Sequence, residues 1–146
     1  MRRLRLRRDA CREPDDEGSV LLLTLGYALL AIAVILVCVD ATSLYLSQKR
    51  LDALADAAAL AGADGFTLTI EGGDPVATLT GDAVHDQAES IVAAVGGGAT
   101  LVSAGTPDGV SARVTVAGAW HPPVLALFVP AGVALEATAT SRTALR

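Results

Sequence analysis

The chain has 146 residues, 52% of them hydrophobic, with 16 acidic against 11 basic side chains and a formal net charge of −5. From Asp40 onward the balance is five basic to eleven acidic residues; an acidic surface of this kind excludes phosphate-backbone binding, which needs clustered Lys and Arg, so no nucleic-acid partner is expected. The two cysteines, Cys11 and Cys38, both precede that point, which excludes a disulfide framework in the rest of the chain.

Residues 1–18 form a basic tail carrying Arg2, Arg3, Arg5, Arg7, Arg8 and Arg12 against five acids. The run from Ser19 to Val39 then has no charged residue for twenty-one positions. At 1.5 Å per residue that matches the thickness of a bilayer's hydrocarbon, and predicts one transmembrane helix over 19–39. Its polar members, Ser19, Thr24 and Tyr27, can bond within the helix or sit near headgroups. Six arginines before the span and only Lys49 and Arg50 soon after it put the N-terminus in the cytoplasm and the remainder outside.

Three processing signals compete with an uncut anchor. Val39 and Ala41 fit the small-residue pattern of a signal peptidase site, although the apolar run is longer than the usual h-region; cleavage there would release a secreted small binding module. A lipoprotein signal at Cys38 is opposed by the bulky Val37 before it. A prepilin signal at Gly18 lacks the glutamate expected five residues on, where Leu23 stands.

From Ala41 to Ala61 there is neither Gly nor Pro, so the span continues as a stalk helix over 40–64, stopped by Gly62 and Gly65. Leu44, Leu51 and Ala58 recur every seven residues with Leu54 and Ala61 between them, giving an apolar stripe that faces either the protein's own domain or a neighbouring helix.

Residues 16–64 resemble the N-terminal segment of the TadE/TadG-like proteins of Flp (tight adherence) pilus assembly. The residues that carry the resemblance are Gly18 at the start of the apolar helix, Asp40 just past it, the pair Lys49-Arg50 with Leu51, and the run Asp56-Ala57-Ala58-Ala59-Leu60-Ala61. Asp52 stands where many members have glutamine. There is neither the Asp-x-Ser-x-Ser motif nor the length of a von Willebrand factor A-like domain, so the resemblance implies a short TadG-like membrane protein. It implies other pilus or secretion membrane proteins as partners, and self-association through the transmembrane and stalk helix.

The last part, 65–146, reads as a small α+β domain. Phe66–Glu71 and Val76–Thr80 are candidate strands around the turn cluster Gly72-Gly73-Asp74-Pro75. Asp82 is placed to cap a helix running to Val95, with Ala83, Val84, Ala88, Ile91, Val92 and Val95 on its apolar face and Gly96-Gly97-Gly98 at its end. Ala99–Ser103 and Val110–Ala117 form a hairpin, and 133–144 a last strand, so the expected architecture is a small antiparallel sheet with one packed helix. Between them, Trp120-His121-Pro122-Pro123 and the apolar block Val124–Val129 form either a loop covering the core or an exposed patch. Trp120, Val124, Leu125, Leu127 and Phe128 are the candidate contacts for a partner or the membrane face.

No catalytic, cofactor-binding or metal constellation can be read. His85 and His121 lie far apart, His85 as a solvated helix residue, and the three glycines end a helix rather than open one, so no enzyme and no cofactor is expected.

Overall fold

The computed structural model describes residues 16–71, 74–126 and 129–142. The basic tail before Asp16, the Gly72-Gly73 turn, Leu127, Phe128 and the chain after Arg142 lie outside the described residues. The elements are α1 (Asp16–Asp64), β1 (Thr67–Glu71), β2 (Asp74–Thr78), α2 (Gly81–Val95), β3 (Thr100–Gly105), β4 (Ser111–Trp120) and β5 (Val133–Arg142). The class is α+β, as expected, and the chain divides into two units, Met1–Val37 and Cys38–Arg146.

The first unit contributes the N-terminal part of α1. Its apolar window is long enough to cross a membrane, and none of that window is buried. Leu21, Leu22, Leu23 and Tyr27 are all exposed. The one polar group described there in a bond, Thr24 Oγ1, donates to the Leu21 carbonyl at 2.9 Å, a back-bond that satisfies the hydroxyl without a partner helix.

In the second unit the remainder of α1 lends one face to a core. Leu51, Leu54, Ala55, Ala58, Ala59 and Ala63 are buried with Val84, Ala88 and Val92 of α2, with Ala112, Val114 and Val116 of β4, and with Ala137 and Ala139 of β5. The apolar stripe therefore lies on the protein's own domain. Four of the six core residues that α1 contributes are alanines, which bury little area per residue.

The strands form two sheets rather than the single one expected: a ribbon of β1 and β2, and an antiparallel sheet of order β3-β4-β5. β4 is central, and the prolines at 122 and 123 fall just after it, where they remove no ladder bond. Its register runs unbroken against β5 from Ser111↔Arg142 to Trp120↔Val133. Against β3 the register shifts between Leu101 and Ser103, so Val102 is the bulged residue. The ribbon is tied to the sheet where the Leu79 N–H donates to the Gly109 carbonyl at 3.0 Å, with Leu79 itself buried.

Three local expectations change. Thr80, not Asp82, caps α2: its hydroxyl accepts from the Ala83 N–H at 3.4 Å, and Asp82 lies in the first turn, where its charge favours the helix dipole. Val95, expected on the apolar face of α2, is 69% exposed, and the buried face of the helix is Val84, Ala88 and Val92. Gly62 does not stop α1 but lies inside it, where a Cβ would come within 2.9 Å of Val84 Cγ1 and 3.3 Å of Ala112 Cβ. Gly65, beyond the last residue of α1, donates to the Gly62 carbonyl at 3.3 Å and closes the helix.

Candidate functional site: the Asp40 end of the sheet unit

Two side chains of α1 near the start of the second unit hold the segment that follows β4. The Trp120 indole N–H donates to Ser43 Oγ at 3.1 Å. The Val124 backbone N–H donates to Asp40 Oδ1 at 3.2 Å. Asp40 is only 6% exposed, and its Oδ2 is buried without a hydrogen-bond partner. A desolvated carboxylate oxygen with no donor is costly, so this point is under tension that a surface aspartate would not carry.

The loop itself is tightly shaped. The Val129 N–H donates to the Leu125 carbonyl at 3.0 Å and the Gly132 N–H to the Val129 carbonyl at 3.2 Å. Gly132 has φ +70°, and a Cβ there would lie 2.8 Å from the Trp120 carbonyl oxygen and 3.0 Å from His121 Nε2, so only glycine lets the chain return into β5. Pro122 is buried, Val124 half-buried, and Leu125 40% exposed. Of the candidate contacts, Trp120 and Val124 are each bonded to α1 and Leu125 is exposed; Leu127 and Phe128 lie outside the described residues.

Beside this loop a groove of about 830 Å³ is lined by Arg50, Leu51, Leu54, Gly97, His121 and Leu135. The two members of the basic pair face different surroundings. Lys49 bonds Asp52 at 3.0 Å and lies 5.9 Å from the centre of the Tyr45 ring. The Asp52 carboxylate beside it raises the Lys49 pKa, while the hydrogen bonds from Lys49 and Gln48 hold the Asp52 carboxyl below the usual range. Asp52 thus serves as the partner of Lys49. Gln48 also donates to the Glu136 carbonyl at 3.2 Å, fixing the edge of β5 to α1.

Of the other residues in the motif, Leu51 and Ala58 are buried and Ala61 half-buried, while Arg50, Asp56 and Leu60 face out, Leu60 at 58% exposure. Gly18 lies in the first turn of α1. Among the described residues no group of three or more His, Cys, Asp or Glu is placed to hold a metal ion. His85 lies exposed on α2, 3.9 Å from Glu89. The Asp40–Val124 bond could not be read from the sequence, since it joins residues eighty-four positions apart; the position of Asp40 at the end of the apolar run was its only signal.

These features define a class: an α+β protein built on one long helix, whose N-terminal stretch has the length and apolarity of a membrane span and whose C-terminal stretch is the spine of a small domain. Residues 18–65, a third of the chain, match the Tad family model, described as "Putative Flp pilus-assembly TadE/G-like". The match covers the segment over which the resemblance to TadE/TadG-like proteins was read, residues 16–64, and supports involvement in Flp pilus assembly. No curated protein and no solved structure matches the chain.

Proposed function

We propose that this protein is a single-pass, membrane-anchored component of a bacterial Flp/Tad-type pilus or a related secretion apparatus. Residues 1–18 lie in the cytoplasm, 19–39 cross the membrane, and 40–146 stand outside it. One observation carries this reading: the matched segment is one unbroken helix, α1, with its apolar window wholly uncovered by protein and its C-terminal part forming the core of the domain. Burying one large aliphatic side chain is worth about 1.5–3 kcal/mol, so an uncovered array of Leu, Ile and Val calls for lipid around it. The arginines before the span set the orientation.

The role is binding, not turnover. Other pilus or secretion membrane proteins are the partners, and the transmembrane and outward faces of α1 are available for self-association. Leu46 and Leu60, both exposed, lie on the outward face. Release by cleavage near Ala41 would remove Asp40 and with it the acceptor for the Val124 N–H, which supports the uncut form.

Deleting the gene tests the role: pili counted by electron microscopy are expected to be lost and to return with the intact gene in trans. Unchanged pilus numbers in the deletion strain would sink it. Intact-mass measurement of the membrane-bound product is expected to give a chain that retains Asp40; a product starting near Thr42 would instead favour a released module.

A further inference from the structure

From Val114 to Leu135 the chain carries no Asp, Glu, Lys or Arg, although the region past Asp40 is acidic overall. The middle of this stretch is the loop after β4. Its apolar residues are not spent on the core: Leu125 is 40% exposed, Ala126 is exposed, and Val133, which pairs with Trp120 across β4 and β5, is 41% exposed.

The depth of this patch is fixed by two bonds. Asp40, which accepts from the Val124 N–H, is the first charged residue after the apolar run. Ser43, which accepts from the Trp120 indole, is three residues further along α1, about 4.5 Å of helical rise. The loop is therefore tied to the one level of the helix where lipid must give way to water if α1 is a membrane anchor. It also covers the Asp40 carboxylate and leaves Oδ2 without a donor, an arrangement that the gain of burying apolar loop surface elsewhere would offset.

We propose that this loop is a second membrane contact. Val124, Leu125 and Ala126 enter the boundary between headgroups and acyl chains beside the point where α1 leaves the bilayer, and Trp120 sits at headgroup level, the depth at which indoles concentrate. The occupant is lipid rather than a protein partner because the patch lies level with the end of the apolar run and has no formal charge to desolvate. The inference rests on the anchored reading given above.

Trp120 is the only tryptophan, so the unmodified chain reports its own depth. The full chain is reconstituted in phosphatidylethanolamine/phosphatidylglycerol vesicles containing lipids brominated either near the headgroup or at mid-chain. The protein is expected to resist carbonate extraction, and Trp120 emission to be quenched about twofold more by the shallow label than by the deep one, as an interfacial depth requires. In Leu125→Asp the shallow quenching is expected to fall toward zero, with the far-UV spectrum and carbonate resistance unchanged. A carbonate-resistant protein whose Trp120 neither label quenches overturns the lipid contact alone and leaves the loop to a protein partner. Persistent shallow quenching in Leu125→Asp shows that the helix sets the depth without the loop, and overturns the inference equally. Release by carbonate overturns the anchored reading and the inference together.

Discussion

Gly62 and Asp108 show how single residues set the geometry. At Gly62 the neighbours of a new Cβ are the Val84 and Ala112 side chains, both fully buried, so neither has room to yield. Gly62→Ala gains about 1 kcal/mol of helix propensity but incurs an overpacking cost of roughly 1–3 kcal/mol. A net loss of up to about 2 kcal/mol is expected, read as a lower unfolding midpoint of the full chain in detergent. Asp108 organises the turn between β3 and β4, accepting from Ser111 Oγ at 2.8 Å and from the N–H groups of Ser111 and Val110. The Ser111 hydroxyl first, then the Val110 and Ser111 amides and the Arg142 charge at 3.8 Å, hold its carboxyl below the usual aspartate range. A depressed folded-state pKa contributes stability that is fully present above the unfolded value and is lost as pH falls through the folded one. The midpoint is therefore expected to drop on acidification below about pH 4, and less steeply in Asp108→Asn.

At the scale of elements, β4 bears most on the core. Val114 and Val116 are fully buried between α1 and α2 on one side and the flanking strands in the sheet. Val114→Ala removes two methyl groups at about 0.8 kcal/mol each and leaves a cavity in a core already built of small residues, so a loss of about 2–3 kcal/mol is expected in chemical denaturation. The last strand and the heptad spacing of Leu51 and Ala58 were legible because burial on one face imposes a period on the sequence. Less legible were the split into two sheets and the capping of α2. The pairing of β1 with β2 is local and says nothing of whether the ribbon joins the larger sheet. Thr80 and Asp82 are both competent caps, and only the point at which the backbone turns helical chooses between them.

For the whole molecule, one helix joins two stretches of different patterning. Its first stretch carries no pattern of faces, since lipid would surround it on every side, whereas its second stretch is apolar on one face only because a sheet and a second helix cover that face. By itself the sequence determined the apolar run, the helix continuing past Asp40 and the Tad-like segment, because these depend on composition and local periodicity, which need no distant partner. Tertiary structure decided which groups Asp40 and Trp120 meet. Hydrogen bonds from Val124 to Asp40 and from Trp120 to Ser43 join segments roughly eighty residues apart. Such contacts leave no period in the sequence, and only the folding of β4 back along α1 brings their donors within reach of their acceptors.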